Sequence, residues 1–123
     1  MEVLIIDGAN VMGSRPDGWW RDRPGAARTL HQKLSAPDLP QNEVVFTLEG
    51  QAKRSVQAGQ DGRIRTVHAA GSGDDAIVDE LVRQLAIGDG REVIVVTADR
   101  KLRDRVEAVG ACTKGPMWLL DQL

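Results

Sequence analysis

Three apolar runs in this chain each stop at an acid. Val3-Leu4-Ile5-Ile6 ends at Asp7, Val44-Val45-Phe46-Thr47-Leu48 at Glu49, and Val93-Ile94-Val95-Val96-Thr97-Ala98 at Asp99. Short apolar runs without polar alternation describe strands covered on both faces, the pattern of parallel sheets. Parallel neighbours need a long crossover between them, usually a helix, and the intervening segments carry helical signals. Pro24 opens a helix that reaches about Ser35, proline being favoured in a first turn, and Pro37 and Pro40 break it. Residues 74–87 set Ile77, Val78, Leu81 and Leu85 at helical spacing before Gly88 and Gly90. A further helix over 100–109 stops at Gly110. Residues 8–23 read as a Gly-, Pro- and Arg-rich loop and 51–60 as weakly helical. The strand over 63–68 alternates in polarity, which fits an edge position, and a short last strand falls near 111–113. The alternation of strand and helix predicts a three-layer α/β sandwich around a mainly parallel five-stranded sheet, with residues 1–123 as one domain.

Composition narrows the class. Hydrophobic residues make up 41% of the chain, too many for a disordered one, yet there are only three Trp, one Phe and no Tyr. The core is therefore expected to be aliphatic. No apolar run approaches the roughly 20 residues that span a bilayer, and no basic stretch precedes the first strand, so neither a membrane partner nor a signal peptide is expected. The single cysteine, Cys112, cannot form an internal disulfide and reads as small core filler. A cytoplasmic location follows as the expectation. The formal charge of −2 gives no overall attraction to nucleic acid. Arg nevertheless outnumbers Lys among the 16 basic residues, and Arg suits bidentate phosphate contacts.

The positions of the acids carry the functional reading. In an open parallel sheet the carboxyl ends of the strands share one edge, and ligands bind there where strand order reverses. Asp7, Glu49 and Asp99 would all stand on that edge. The helix that begins near Asp74 starts from it too, with Asp75 and Asp79 four apart on one helix face. Clustered carboxylates repel unless a cation sits among them, and an all-oxygen donor set suits Mg²⁺ or Mn²⁺. No Cys or His cluster points to zinc.

The same residues carry a family resemblance. Leu4-Ile5-Ile6-Asp7-Gly8-Ala9-Asn10-Val11, Gly73-Asp74-Asp75-Ala76-Ile77-Val78-Asp79 and Val95-Val96-Thr97-Ala98-Asp99-Arg100-Lys101-Leu102-Arg103 resemble the three signature blocks of NYN domains, in particular the YacP-like branch, in the family's order. The resemblance implies a PIN-like fold with strand order 3-2-1-4-5, so that Asp7 and Asp99 face each other. It also implies a divalent-metal-dependent endoribonuclease. Glu49 stands where relatives often have Asp. Phosphodiester hydrolysis needs an activated water and a neutralised leaving oxygen, both of which metal ions supply. Asp7, Asp75, Asp79 and Asp99 are then the expected catalytic and metal-binding acids, with Glu49 as a further metal ligand. Asn10, Arg100 and Arg103 are expected at the substrate, and Thr97 as an orienting residue.

Several of these residues have a second reading. Ser72-Gly73-Asp74-Asp75 has the form of a helix-capping sequence, which would employ Asp75 structurally. Asp79 would serve as a solvated helix residue, Glu49 as a loop acid, Arg100 and Arg103 as a basic helix face, and Asn10 as a turn former. Trp19 and Trp20 lie among Arg15, Arg21 and Arg23, and either stack bases of single-stranded RNA or anchor the loop. Candidate partners are single-stranded RNA, a second copy of the chain and the ribosome. The alternative to an enzyme is a non-catalytic NYN module that binds RNA or a protein. A phosphoacceptor receiver domain does not fit, because the third strand ends in His68-Ala69-Ala70 with no Asp, and the chain lacks the extra helices of a flap nuclease.

Overall fold

The computed structural model describes residues 1–35 and 39–123; the break expected at Pro37 lies outside them. The first strand, β1 (Glu2–Asp7), runs directly into a short helix α1 (Gly8–Met12), and a 3₁₀ turn at Trp19–Arg21 leads to α2 (Arg23–Leu34). Strand β2 (Glu43–Leu48) is followed by a 3₁₀ turn (Gly50–Arg54), a short strand β3 (Gly59–Asp61) and β4 (Ile64–His68). Helix α3 (Gly73–Ala86), strand β5 (Glu92–Val96), helix α4 (Arg100–Ala108), strand β6 (Cys112–Lys114) and helix α5 (Pro116–Leu120) complete the chain.

The sheet has the order β3-β4-β2-β1-β5-β6. All neighbours are parallel except the β3–β4 pair. Without β3, this is the order 3-2-1-4-5 that the family resemblance implies. The extra strand corrects two expectations. Part of the segment expected to be weakly helical pairs antiparallel with β4, so the alternating strand at 64–68 is not the edge. Cys112 also departs from its reading: it is exposed on the edge strand β6 and fills no core.

Strand β1 shows why the sheet needs cover on both sides. Its residues Val3, Leu4, Ile5 and Ile6 are all completely buried. Side chains alternate across a strand, and the core divides accordingly. Leu4 and Ile6 pack with Phe46 and Leu48 against Leu30 and Leu34 of α2 and Leu119 of α5. Val3 and Ile5 pack with Val45 and Val95 against Ile77 and Leu81 of α3 and Leu102 and Val106 of α4. Burying each such aliphatic side chain contributes roughly 1.5–3 kcal/mol. Among the described residues no helix is long and apolar enough to cross a membrane.

The chain builds β1, β2 and β4 outward in one direction, then returns to place β5 on the other side of β1. The reversal falls between β1 and β5, so the crevice expected for a ligand lies at their carboxyl ends.

Candidate active site

Asp7 closes β1 at that crevice. Continuing the alternation of Val3 and Ile5, its side chain lies on the α3/α4 side of the sheet, and it is only 6% exposed. The Thr97 hydroxyl donates to Asp7 Oδ2 at 3.0 Å, and the Asn10 amide donates to Oδ1 at 3.3 Å, which also caps α1. Burial pushes the Asp7 carboxyl up to about 6; the two hydrogen bonds oppose this, and the charges of Asp74 and Glu49 add to it. Glycine at position 8 permits the tight entry into α1, since a Cβ there would lie 2.5 Å from the Thr47 carbonyl oxygen of β2.

The end of β5 is tied to the same point. Thr97, fully buried, accepts from the Asp99 amide at 3.1 Å while donating to Asp7. Asp99 caps α4 through the Leu102 amide at 3.1 Å. The Asn10 side-chain oxygen accepts from the Ala98 amide at 2.7 Å, joining the β1–α1 and β5–α4 junctions. On the other flank, Glu49 accepts from the Gly73 amide at 2.8 Å at the start of α3. A Cβ at Gly73 would stand only 3.1 Å from that carboxylate.

Helix α3 turns Asp74, which the sequence marks only as the start of the helix, toward the crevice. Asp74 is raised from the ordinary Asp value, first by burial and then by the charges of Asp99 and Glu49. Asp75 instead pairs with Arg105 of α4 at 3.0 Å, and its amide is capped by Ser72 at 3.3 Å. Asp79 is exposed, one helical turn further along that same face. Helical phase explains the difference. Ile77 and Leu81 face the core, and Asp74 lies three residues before Ile77 on that inward face, whereas Asp75 and Asp79 are rotated off it. The acids at the crevice are thus Asp7, Asp74, Asp99 and Glu49, and Asp75 and Asp79 lie outside it.

Among the described residues no three His, Cys, Asp or Glu side chains are gathered as a ready-made metal set. Two observations still fit a hard divalent cation. Asp7 is a buried carboxylate in a field of other acids. The Thr47 hydroxyl is buried with no hydrogen-bond partner among the described residues, and Thr47 is the register partner of Asp7 on the same side of the sheet. Mg²⁺ keeps several waters and commonly takes only one or two protein carboxylates, so a site built on Asp7 with water bridging to its neighbours matches this donor set.

The fold has counterparts among solved structures. A mutant form of Rae1 (YacP) from Bacillus subtilis superposes with a TM-score of 0.77 at 20% identity, covering 98% of this chain and 74% of that one. Another crystal structure of Rae1 (YacP) gives 0.66 at 18% identity, covering 98% and 72%. The chain has the YacP fold. No protein-family model and no curated protein sequence matches it.

Within the YacP fold the remaining expected residues separate by environment. Arg100 is exposed on the first turn of α4, beside Asp99. Arg103 is half-buried and donates through Nε to the Thr113 hydroxyl at 3.1 Å, which ties α4 to β6. Trp19 packs partly buried against the α2-side core, while Trp20 is 50% exposed. The two rings meet edge to face, with centroids 6.3 Å apart.

Proposed function

We propose that this chain is a divalent-metal-dependent ribonuclease of the YacP-like NYN branch, cleaving single-stranded RNA internally with Mg²⁺ or Mn²⁺. The observation that carries the reading is Asp7: a buried carboxylate at the switch point of the sheet, raised to about 6 by burial and further by the charges of Asp74 and Glu49. Such a group is unfavourable for the fold alone and is expected where a cation binds. The likeness to Rae1 (YacP) supports the fold in which this reading is made.

A bound divalent ion would activate a water for attack on the phosphodiester and neutralise charge on the leaving oxygen. The protein's own part is to hold the carboxylates. Asp7 would hold the ion, its carboxylate fixed in orientation by the Thr97 hydroxyl and the Asn10 amide. Asp74, Asp99 and Glu49 would add negative charge around the bound ion, and the buried Thr47 hydroxyl, without a partner among the described residues, would be available to its hydration shell. Arg100 meets a substrate phosphate from the rim. Asn10 keeps the β1 and β5 junctions together and acts on the substrate through them.

The second reading, a non-catalytic module that binds RNA or a protein, is favoured by the lack of a preassembled set of three acids among the described residues. Incubating the protein with a mixture of structured and unstructured RNAs in Mg²⁺, Mn²⁺ or EDTA decides between them. The ribonuclease reading requires metal-dependent internal cuts that EDTA and Asp7→Asn abolish. RNA that is retained but never cut in any metal supports the module instead.

A further inference from the structure

Away from the acids, the carboxyl edge of the sheet carries a concavity of about 300 Å³ between the start of α2 and the 3₁₀ turn after β2. Trp20, Arg21, Arg23 and Arg54 line it, with Asp22 the acid among its walls. Asp22 is already engaged, capping α2 through the Gly25 amide at 2.9 Å. None of the three arginines forms an ion pair with a carboxylate among the described residues. Their contacts are with rings and an amide. The Arg21 guanidinium lies 5.8 Å from the Trp20 ring centroid, that of Arg23 lies 5.4 Å from Trp19, and Arg54 donates to the Gln51 side chain at 3.2 Å.

Three uncompensated guanidinium groups converging on one groove are unexpected in a chain whose net charge is −2. Beside them stands a large indole, Trp20, with half of its surface open to solvent. Trp19, seated against the core, meets the Trp20 ring edge-on. The result is an aromatic shelf ringed by cations, the combination that binds single-stranded nucleic acid by stacking a base and neutralising its phosphates. A duplex keeps its bases stacked on one another and has none to offer the shelf.

We propose that this groove is a single-stranded RNA subsite separate from the hydrolytic crevice, in which Trp20 stacks one base and Arg21, Arg23 and Arg54 hold the phosphates beside it. Glu49, at the crevice, directly precedes the turn that carries Arg54. A strand in the groove therefore crosses the end of β2 on its way to Asp7. The proposal rests on the ribonuclease reading only in that the held strand is the one to be cut.

Binding of a fluorescein-labelled, unstructured 12-nucleotide RNA, followed by anisotropy in EDTA, tests the subsite without cleavage. Trp20→Ala is expected to weaken binding about 5- to 150-fold, and Trp20→Phe to restore most of it. Arg54→Ala is expected to lower the salt dependence, the slope of log affinity against log salt, by about 0.7. Melting curves of each variant check that it is folded, and the Phe variant keeps the shelf testable if the Ala variant is not. Unchanged affinity in Trp20→Phe and Trp20→Ala with an unchanged salt slope in Arg54→Ala would overturn the proposal. So would equal loss of binding to a duplex RNA, or displacement of the RNA by polyglutamate as readily as by polyuridylate, which would mark a site for acidic protein. Cleavage is read separately in Mn²⁺. Trp20-dependent binding with no cleavage leaves the subsite standing and defeats the hydrolytic reading. Cleavage with an unaltered KM in Trp20→Ala does the reverse.

Discussion

Replacing Asp7 by Asn should stabilise the metal-free protein at neutral pH. The folded structure raises the Asp7 carboxyl from 3.8 to about 6, chiefly by burying it. At about 1.4 kcal/mol per tenfold change in proton affinity, its ionised form is about 3 kcal/mol less favourable in the fold than in the open chain. The sign follows from the direction of the shift. Protonation favours the folded state, so this contribution is fully present below about pH 3.8 and is lost as pH rises through about 6. Asn stays neutral throughout and retains an oxygen to accept from Thr97 or from the Asn10 amide. In EDTA at pH 7.5, Asp7→Asn is expected to be more stable than wild type by up to about 3 kcal/mol, or on the order of 10 °C in melting temperature for a chain of this size. The gap should close as pH falls to about 4. Thermal melts of both proteins at the two pH values provide the measurement, and taking the difference cancels other titrating groups. Excess Mn²⁺ should then reverse the order, since only a protein that binds the ion gains from it. A variant less stable than wild type by the same amount at both pH values would refute the reasoning, and Asp7 would be a structural cap.

Asp74→Asn should reduce metal-dependent cleavage about 10- to 100-fold while Asp79→Asn leaves it within about twofold; equal losses in the cleavage assay would return the site to the outer helix face. Thr97→Val removes the hydroxyl that joins Asp7 to the Asp99 amide, so it should destabilise by about 1–3 kcal/mol. Because it also removes a hydrogen bond that lowers the Asp7 carboxyl, the acid limb of the pH–activity profile should move upward. Gly8→Ala drives a methyl group to 2.5 Å from a backbone oxygen, and denaturant titration should show a loss of about 1–3 kcal/mol or more.

The acids that end strands were legible because their signal is local. Four buried aliphatic residues followed by Asp can be read as a strand and its carboxyl end, and the order of three such runs places Asp7 and Asp99 near one edge. The inward placement of Asp74 follows only from carrying the spacing of Ile77 and Leu81 back one turn; the adjacent Asp75 and Asp79, four apart, share the exposed face of α3. Strand β3 left no such trace, since its three residues are polar and exposed and are held by pairing with β4. Helix α1 is too short to form from its own propensity and depends on burying Val11 and Met12. The use of Arg103 to hold Thr113, and of Arg105 to hold Asp75, joins residues of neighbouring elements and has no periodic signature. The Trp pair shows the same limit, because sequence places both rings in one loop and only packing separates the anchored Trp19 from the exposed Trp20.

Metal-dependent hydrolysis at this crevice requires a hard divalent cation seated on Asp7. Anomalous diffraction from crystals soaked in MnCl₂ locates such an ion directly. The expected result is a peak about 2.0–2.6 Å from an Asp7 carboxylate oxygen, with Asp74 or Asp99 reached directly or through water, and no peak in Asp7→Asn crystals treated alike. Crystals that take up no Mn²⁺ at Asp7, or that hold it only at the outer face of α3 near Asp79, would contradict the account.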